Sequence, residues 1–334
     1  MRILIVSDAW VPQINGVVRT LQKTRAELEA MGDTVEVIGP DRFPTMPCPT
    51  YPEIPLALLP KAKLRRIIDD WNPQSIHIAT EGPLGQAARK ICLARGWSFT
   101  TSFHTRFPEY LEARFGVPER WIYRFMRRFH DKATRTLVTT PSMRLRLENR
   151  GFGNLVIWSR GVDTTIFHPR EDRVLDLPRP IFMNIGRVAV EKNLEAFLNL
   201  DLPGSKLVVG DGPMLEQLRR QYPDVTFVGA KQGEDLARFY ALGDVFVFPS
   251  RTDTFGLVLL EALASGVPVA AFPVEGPIDV VTDPAVGMLD EDLRAAALGA
   301  LDKSREACRA HAQTFSWHAC ARIFRENLVP LEPA

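Results

Sequence analysis

Residues 245–262 read VFVFPSRTDTFGLVLLEA, and this order predicts a strand, then a loop, then a helix. The run Val245–Phe248 has the length of a short strand and lacks the alternation expected when one face is solvated. Such strands are typical of parallel sheets that helices cover on both sides. After this strand the chain is expected to pass through a loop and to become a helix near Gly256. The stretch therefore predicts one strand–loop–helix unit of an α/β fold.

The same unit recurs on both sides of this stretch. Short apolar runs alternate with longer amphipathic stretches along almost the whole chain. The runs are Ile3–Val6, Val35–Ile38, Ile76–Ala79, Phe99–Thr101, Leu137–Thr139, Leu155–Trp158, Ile181–Ile185, Lys206–Val209, Val225–Val228 and Val267–Ala271. Repeated strand–helix alternation predicts a doubly wound α/β fold.

The length of 334 residues suits two domains of roughly 150 residues each. Residues 1–163 are expected to form a first Rossmann-like domain and residues 181–315 a second. Between them, residues 164–180 carry prolines and charges without an apolar period, which predicts a linker. Residues 316–334 are expected to form a helix, capped by Ser316, and a tail that crosses back to the first domain. The proline-dense stretch Asp41–Pro60 is expected to be a long loop.

Composition and charge exclude several classes of protein. The formal net charge of +1 provides no overall field to gather nucleic acid. No apolar run approaches the roughly 20 residues needed to span a bilayer. Met1–Val6 is short and is followed directly by polar residues, so it is interpreted as a first strand rather than a signal peptide. A cytoplasmic protein is expected.

The first stretch that could carry chemistry is Asn15-Gly16-Val17, which follows the first strand. A glycine at the start of a helix lets the backbone approach a ligand, and the helix N-terminus offers amides to an anion. An ordinary strand-to-helix turn explains the same residues. The GxGxxG pattern is absent here, which argues against a dinucleotide-dependent dehydrogenase.

The second stretch places Arg187 and Lys192 after the strand Ile181–Ile185. Open α/β sheets bind ligands at the carboxyl ends of their strands. Two cations at that position suit a diphosphate, whose charge must be stabilised as it leaves. A solvated, charged loop is the simpler alternative.

The third stretch contains two carboxylates, Asp253 in the loop and Glu261 in the predicted helix. An acidic helix cap would explain Asp253. Glu261 lies among leucines and a valine, and a buried carboxylate needs partners, for which the hydroxyls of a ribose would serve. The backbone amides of residues 254–257 would point at a phosphate.

Taken together, these stretches resemble glycosyltransferase family 4 over essentially the whole chain. The resemblance rests on four motifs: Asn15-Gly16-Val17, Gly186-Arg187 with Glu191-Lys192-Asn193, Val209-Gly210-Asp211-Gly212-Pro213, and Asp253 to Glu261. It implies the GT-B architecture, in which two Rossmann-like domains face each other across a cleft. The chain looks most similar to the bacterial branch that acts on lipid acceptors, which includes α-mannosyltransferases and glycosyl-diacylglycerol synthases.

The resemblance also implies roles for individual residues. Arg187 and Lys192 would hold the diphosphate, Asp253 would bind hydroxyls of the donor sugar, and His104 would contact that sugar beside the reacting carbon. The remaining donor-binding residues implied are Gly16 and the segment Thr254, Phe255, Gly256 and Leu257 for the phosphates, Glu261 for the ribose, and the backbone of Val228 and Gly229 for the base. The family usually has Glu where this chain has Asp253, so the carboxylate is one methylene shorter.

Similar enzymes retain the anomeric configuration, and the departing diphosphate helps to deprotonate the acceptor. The resemblance therefore implies no cofactor, since the nucleotide sugar is a substrate. No Asp-x-Asp motif lies in a suitable loop, so a metal-independent reaction is expected. No paired carboxylates at glycosidase spacing are evident, and hydrolysis is not indicated.

Two basic segments, 61–66 and 119–135, suggest where the acceptor is met. The second interleaves aromatic residues with arginines, which suits an anionic membrane surface, although a core-facing stripe with a solvated basic back is the plainer interpretation. The expected reaction moves a hexose from UDP-glucose or UDP-glucuronate to a lipid such as diacylglycerol, on the inner face of the cytoplasmic membrane. A GDP-mannose-dependent α-mannosyltransferase acting on a glycolipid or oligosaccharide is the nearest alternative. A nucleotide-sugar epimerase or a binding module is the alternative of another class.

Overall fold

The computed structural model describes residues 1–13, 15–48, 51–171 and 174–331. The chain divides into two compact units. Unit 1 comprises Met1–Ser159 together with Trp317–Ala334, and unit 2 comprises Arg160–Ser316. Each unit contains one six-stranded sheet. The predicted α/β class with two Rossmann-like sheets is confirmed.

Unit 1 is built from alternating strands and helices. Its strands are β1 Arg2–Val6, β2 Thr34–Ile38, β3 Thr45–Cys48, β4 Tyr51–Ala57, β5 Ser75–Ile78, β6 Thr100–Phe103, β7 Arg135–Val138 and β8 Leu155–Ile157. Its helices are α1 Gly16–Ala30, α2 Lys61–Trp71, α3 Pro83–Ala94, α4 Phe107–Phe115, α5 Glu119–His130 and α6 Pro141–Glu148. The parallel sheet has the order β2-β1-β5-β6-β7-β8. The strand order therefore reverses between β1 and β5, which is where such sheets bind ligands.

Helices α2, α3 and α5 cover the same face of this sheet. Leu4 and Ile76 of the sheet share one buried cluster with Leu64 of α2, Ile91 of α3 and Phe129 of α5. On the neighbouring strands β1 and β5, residues in direct register are buried together on both faces of the sheet. This is the pattern expected of a sheet with helices on both faces.

Unit 2 follows the same scheme. Its strands are β9 Ile181–Ile185, β10 Ser205–Val209, β11 Thr226–Phe227, β12 Val245–Phe248, β13 Val269–Ala271 and β14 Gly287–Leu289. Its helices are α7 Leu194–Leu198, α8 Leu215–Gln221, α9 Gly233–Leu242, α10 Leu257–Ala264, α11 Pro277–Val280, α12 Leu293–Ala300 and α13 Arg305–Gln313. The parallel sheet has the order β11-β10-β9-β12-β13-β14, which is the Rossmann order with its reversal between β9 and β12.

Alternate residues of β9 face two different buried clusters. Ile181, Met183 and Ile185 pack with helices α9, α10 and α13, whereas Phe182 packs with α7, α8 and α12. Because neighbouring residues of a strand point to opposite faces, both faces of the sheet are covered. This explains why the strands of this unit are apolar without alternation.

The last helix, α14, covers residues Trp317–Asn327 and returns to unit 1. It packs along α1. Arg325 forms two hydrogen bonds with Asp33, at 2.6 and 3.1 Å, and the amino group of Met1 lies 2.8 Å from the same carboxylate. The indole nitrogen of Trp158 donates to the carbonyl oxygen of Cys320 at 3.2 Å. Trp317, Cys320, Ala321 and Phe324 of this helix are buried.

The structure corrects the predicted linker at 164–180, whose described part belongs to unit 2. Phe167 is buried in the unit 2 core, and Ile166, Leu175 and Leu177 pack against that core. These apolar residues follow no helical or strand period because each packs individually from an irregular segment. The units accordingly meet in sequence at residues 159–160 and 316–317, rather than at the predicted limits 1–163 and 181–315.

The predicted long loop at Asp41–Pro60 was wrong, because β3 and β4 form an antiparallel hairpin within it. Pro47 and Pro55 lie opposite each other in this hairpin. Proline cannot donate to a strand ladder and is tolerated where no partner strand needs its N–H group. A two-stranded hairpin has an open edge on each strand, so a proline-rich sequence can still form it.

Candidate functional site

The predicted site of unit 2 lies where its strand order reverses. Strands β9 and β12 are neighbours, with Phe182 opposite Val245 and Met183 opposite Phe246. Both strands run in the same direction, so the segments that follow them, 186–193 and 249–256, leave at the same edge of the sheet. Arg187 and Lys192 lie on the first segment and Asp253 lies on the second. Their common edge is the position where doubly wound sheets bind ligands.

Several hydrogen bonds fix these two segments to each other. The side-chain amide of Asn193 donates to the carbonyl oxygen of Pro249 at 3.1 Å. The hydroxyls of Ser250 and Thr252 donate to the carbonyl oxygen of Glu191, at 3.4 and 3.3 Å. Asn193 has a positive φ of 52°, which asparagine tolerates better than most residues. The segment that carries Lys192 is therefore held against the segment that carries Asp253.

Lys192 and Asp253 form an ion pair between these two segments. The Nζ atom of Lys192 lies 2.5 Å from Oδ1 of Asp253, and the two side chains are 25% and 17% exposed. The second carboxylate oxygen, Oδ2, is buried and accepts no hydrogen bond from any described residue. Buried acceptors usually have a partner, so Oδ2 is an acceptor suited to a hydroxyl of a bound ligand. The pair thus joins the lysine predicted to hold the diphosphate to the carboxylate predicted to bind the sugar.

Arg187 follows Gly186, where the backbone has a φ of 155°, at the end of β9. Its side chain is half-buried at the same edge of the sheet. A Cβ atom at Gly210 would lie 1.8 Å from the carbonyl oxygen of Gly186, and one at Gly212 would lie 2.3 Å from that of Val188. The glycines of the Val209–Pro213 motif therefore allow the loop after β10 to approach the backbone on both sides of Arg187.

The two remaining backbone segments of the predicted donor site also lie at this edge. Val228 and Gly229 follow β11, and the amide of Gly210 donates to the carbonyl oxygen of Gly229 at 2.9 Å. Thr254 and Phe255 lead into Gly256, which has a φ of 84° and immediately precedes the first residue of α10, Leu257. A phosphate contact by these amides, and a base contact by residues 228–229, stay predictions.

Glu261 has a partner that the sequence analysis missed. The carboxylate lies within α10, is 4% exposed, and its Oε2 atom accepts a hydrogen bond of 2.7 Å from the hydroxyl of Tyr240. Tyr240 belongs to α9, is fully buried, and packs edge-on against Phe167 with ring centroids 5.5 Å apart. The burial of Glu261 is therefore compensated at one oxygen by the protein itself. The available signal in the sequence was a tyrosine within an apolar helix, because a buried tyrosine hydroxyl usually needs a partner.

In unit 1, Gly16 is the first residue of α1, as predicted. The Oδ1 atom of Asn15 caps this helix and accepts from the amides of Val17 and Val18, both at 3.0 Å. Because these two amides already have an acceptor, the predicted phosphate contact at this helix falls to the amide of Gly16. Asn15 is thus the residue that shapes this turn.

His104 follows β6 in unit 1. Its Nε2 atom lies 2.8 Å from the hydroxyl oxygen of Ser102, and its ring packs edge-on against Trp158 at 5.7 Å. These contacts hold one side of the imidazole in place. Gly16 and His104 belong to unit 1, whereas the other predicted site residues belong to unit 2.

The basic segment 119–135 divides its aromatic residues between the core and the solvent. Tyr123, Met126 and Phe129 are buried, but Trp121 and Phe125 are 57% and 55% exposed. The arginines at positions 120, 124, 127 and 128 are exposed on the same helix, α5. A core-facing stripe therefore explains Tyr123, Met126 and Phe129 but not Trp121 and Phe125. The two exposed rings and the arginines form an aromatic and cationic surface.

The basic segment 61–66 is the first part of α2. Leu64 is buried, and the surrounding Lys61, Lys63, Arg65 and Arg66 are exposed. Leu59, just before the helix, is 95% exposed. In the described part of the chain, no helix combines the length and apolar composition needed to cross a bilayer.

Among residues 1–13, 15–48, 51–171 and 174–331, no three His, Cys, Asp or Glu side chains form a group that could hold a metal ion. The positive charge at the candidate site comes from Arg187 and Lys192. Metal independence stays a prediction.

Comparison with known families identifies both halves of the chain. Residues 14–166 match the family model Glycosyltransferase Family 4, and residues 179–301 match the model Glycosyl transferases group 1. The first match covers most of unit 1 and ends shortly after the boundary at residues 159–160, and the second lies within unit 2.

Relatives with assigned activities cover most of the chain. A GDP-mannose-dependent alpha-mannosyltransferase of Corynebacterium glutamicum is 30% identical over 93% of this chain and 83% of its own length. The sulfoquinovosyl transferase SQD2 of Arabidopsis thaliana is 30% identical over 86% of this chain and 62% of its own. An alpha-monoglucosyldiacylglycerol synthase of Streptococcus pneumoniae is 25% identical over 90% and 78%.

Solved structures share the fold at lower identity. Sucrose-phosphate synthase from Thermosynechococcus elongatus superposes with a TM-score of 0.80 at 21% identity, over 97% of this chain and 98% of that one. Anabaena HepE in complex with UDP superposes with a TM-score of 0.70 at 15% identity, over 98% and 99%. With the switch-point residues of unit 2, the two family matches and the 30% identical relatives, the chain belongs to glycosyltransferase family 4 and is a glycosyltransferase of the GT-B fold.

Proposed function

We propose that this enzyme transfers a hexose from a nucleoside diphosphate sugar to a hydroxyl of a membrane lipid, with retention of the anomeric configuration. The observation that supports binding of this donor is the Lys192–Asp253 pair at the strand reversal of unit 2. A cation and a buried, unpartnered carboxylate oxygen meet there, which suits a ligand with both an anionic diphosphate and sugar hydroxyls.

The proposed reaction breaks the bond between the anomeric carbon and the diphosphate oxygen. A new bond forms between that carbon and the acceptor oxygen on the same face of the sugar. The proton of the acceptor hydroxyl passes to the leaving phosphate oxygen, so the charges balance without an enzymic nucleophile. Arg187 and Lys192 stabilise the diphosphate as it gains charge.

Donor binding must redistribute the charges of the Lys192–Asp253 pair. An arriving diphosphate offers Lys192 a stronger anionic partner, and a sugar hydroxyl offers Asp253 a hydrogen bond. The pair holds both groups in place before the donor arrives, so less ordering is needed during binding. The shorter side chain of Asp253 suits this contact, because its Oδ1 atom already reaches Lys192 at 2.5 Å.

The identity of the donor has two candidates. The sequence resemblance to glycosyl-diacylglycerol synthases favours UDP-glucose or UDP-glucuronate. GDP-mannose is favoured by three bacterial relatives that are 30% identical and named GDP-mannose-dependent alpha-mannosyltransferases. Both candidates use the same charged pair, since it contacts neither base.

The acceptor side is proposed to lie on an anionic lipid surface. Helices α2, α3 and α5 cover one face of the unit 1 sheet, and Arg89 of α3 donates to the carbonyl oxygens of Arg128 and Phe129 at the end of α5, at 2.9 and 3.0 Å. The basic residues of α2 and α5 are thus parts of one helical layer. Each cation near an anionic bilayer contributes about 1 kcal/mol. The exposed rings of Trp121 and Phe125 add apolar area for the headgroup region. This supports a peripheral location on the inner face of the cytoplasmic membrane.

The function is tested by nucleotide release from UDP-glucose, UDP-glucuronate, UDP-galactose and GDP-mannose. Each donor is assayed with EDTA, with and without liposomes that contain diacylglycerol. Release that needs a UDP-sugar and diacylglycerol supports the leading proposal. Release from GDP-mannose that is indifferent to diacylglycerol supports the mannosyltransferase. An epimerised donor, or no product, would instead favour the epimerase or the binding module.

The membrane proposal is tested with the double variant Trp121→Ser and Phe125→Ser. Binding to vesicles of phosphatidylglycerol and phosphatidylcholine is expected to weaken at least tenfold, because burying an aromatic side chain contributes about 1.5–3 kcal/mol. Ile278→Ser is the control, since it removes an apolar side chain that is 41% exposed in unit 2. Equal binding by the two variants at low salt would contradict the proposal.

A further inference from the structure

We propose that His77 is a positioning residue that acts through Ser102 to hold His104 as the tautomer with its hydrogen on Nδ1. The inference rests on the proposed function and on the predicted contact of His104 with the donor sugar. It assigns a role to His77, Ser102 and Thr100, which the proposed reaction does not otherwise use. All four residues belong to unit 1.

The side chains form one chain of hydrogen-bonding atoms along a single face of the sheet. His77 of β5 lies opposite Thr100 of β6, and Ser102 follows two residues later on the same face. The Nδ1 atom of His77 lies 2.9 Å from the Thr100 hydroxyl, and its Nε2 atom lies 3.1 Å from the Ser102 hydroxyl. Ser102 in turn lies 2.8 Å from Nε2 of His104.

The His77 ring is neutral. It is fully buried, with the ring of Phe324 at 4.7 Å and that of Trp158 at 6.1 Å. Burial, with a smaller contribution from His130, lowers the pKa of His77 to about 3. A neutral imidazole has one N–H group, so one ring nitrogen donates and the other accepts. The direction of every bond in the chain follows from which nitrogen carries that hydrogen.

Thr100 decides the direction. In the part of the chain that the structure describes, the Thr100 hydroxyl is within hydrogen-bonding distance of no side chain except His77. If Nδ1 of His77 carried the hydrogen, the buried hydroxyl hydrogen of Thr100 would have no side-chain acceptor, which costs about 1–3 kcal/mol. Thr100 therefore donates to Nδ1 of His77, and Nε2 of His77 donates to the oxygen of Ser102.

Ser102 has one hydrogen left to donate and two possible acceptors. Nε2 of His104 lies at 2.8 Å, whereas the carbonyl oxygen of Ala79 lies at 3.3 Å. Hydroxyl donors prefer distances of about 2.5–3.0 Å to oxygen, so the contact with Ala79 is weak. The hydrogen points to His104, whose Nε2 accepts it. With Nε2 accepting, the neutral form of His104 carries its hydrogen on Nδ1, which makes Nδ1 a hydrogen-bond donor.

The tautomer is measured directly by long-range proton–nitrogen NMR of protein labelled with 15N-histidine. The chain has six histidines, and the signals of His104 are those that disappear in His104→Gln. The native enzyme is expected to show the Nδ1–H form of His104. Both Ser102→Ala and the isosteric Thr100→Val are expected to lower the population of that form. An unchanged His104 spectrum in both variants would overturn the proposal.

Thr101→Val is the matched control. Thr101 is the neighbouring residue on the opposite face of β6, and its hydroxyl lies 2.9 Å from Nδ1 of another buried histidine, His130. The same substitution there disturbs a threonine–histidine contact without touching the chain that leads to His104. It should leave the His104 tautomer unchanged. A shift of His104 as large as that in Thr100→Val would mean that general loosening of the sheet is responsible.

The kinetic test uses the donor found active in the nucleotide-release assay. If the Nδ1–H population falls to about a tenth, kcat should fall about tenfold, while KM for the donor changes less than twofold. Because His77 and Thr100 act through Ser102, Thr100→Val should cause no further loss in a Ser102→Ala background. Additive losses would contradict the proposal. The NMR measurement needs no donor, so it tests the tautomer independently of the reaction. If the protein showed the expected tautomer shifts but no transferase activity, only the proposed function would be contradicted.

Discussion

The two units hold their predicted catalytic residues by different physical means. In unit 2, Lys192 and Asp253 meet as an ion pair, 2.5 Å apart. In unit 1, His104 rests on Ser102, whose other neighbour is the neutral, buried His77. An ion pair can exchange one partner for an ionic substrate, because each charge only needs a counter-charge. A chain of neutral hydrogen bonds keeps its direction unless a tautomer changes. The difference suggests that unit 2 responds to the charge of the donor and unit 1 fixes the orientation of a ring.

The largest effect is expected when the ion pair of unit 2 is broken. Lys192→Met removes the cation and leaves Asp253 without its partner. The value of kcat should fall about 1,000-fold, because a preorganised charge that stabilises a leaving group contributes about 4 kcal/mol. Nucleotide release with the active donor measures it.

Lys303→Met is the control for this experiment, since it makes the same substitution in unit 2 at a lysine outside the strand reversal. A loss of less than tenfold in Lys192→Met would show that the pair is structural. The two units would then no longer differ in the way proposed.

A smaller effect is expected from the hydrogen bond between two buried side chains of unit 2. Tyr240→Phe removes the hydroxyl that donates to Glu261 at 2.7 Å. KM for the donor should rise about fivefold with little change in kcat, because a hydrogen bond to a buried carboxylate contributes about 1 kcal/mol to holding it in place. Steady-state kinetics at varied donor concentration separates the two constants.

Tyr222→Phe provides the matched comparison, because its hydroxyl donates to Asn199 at 2.8 Å on the exposed side of the same unit. It should leave both constants unchanged. Should Tyr240→Phe lower kcat while KM stays constant, Glu261 would act in the chemical step rather than in donor binding.

The smallest effect is expected from an ion pair of unit 1 that stabilises the fold and takes no part in the reaction. Asp33→Asn weakens the contacts of Asp33 with Arg325 and with the amino group of Met1. Burial alone would raise the pKa of Asp33, but hydrogen bonds and charge from Arg325 and the amino terminus outweigh it and lower the pKa. The free energy of unfolding should fall by about 1 kcal/mol near pH 7, a value reduced because Arg325 is 45% exposed.

The pH dependence of this effect has a definite sign. A carboxylate with a lowered pKa in the folded state contributes stability above its ordinary pKa of about 3.9 and loses it as the pH falls through the folded value. The difference between Asp33→Asn and the native enzyme should therefore shrink below about pH 4. Calorimetry measures this, with the exposed Glu29→Gln as control. A decrease in kcat at pH 7 without a loss of stability would contradict a structural role.

Much of the fold could be predicted because both sheets are buried on two faces. Each apolar run of the sequence overlaps a strand, including all of β9 and β12. The hairpin β3–β4 was missed because its prolines read as loop residues. Strand β14 was missed because Gly287–Leu289 has only three residues and begins with glycine.

The candidate site could be predicted in part. Lys192 and Asp253 follow neighbouring strands, so their common edge was expected, but their direct pairing depends on side-chain geometry that spacing does not give. Tyr240 lies 21 residues before Glu261, and an aromatic residue in an apolar helix reads as core. His77 lies between Ile76 and Ile78, so its place in a polar chain with Ser102 became visible only with the sheet register.

The return of α14 to unit 1 has a consequence for the order in which the protein is made. Residues 160–316 form unit 2 without interruption, whereas unit 1 is completed only by the helix that begins at Trp317. As the chain emerges from the ribosome, the second unit can therefore finish folding before the first. Until α14 arrives, the face of α1 that it covers and the indole of Trp158 lack their last partner. The nascent N-terminal half therefore lacks the contacts of α14 over the whole time needed to synthesise unit 2.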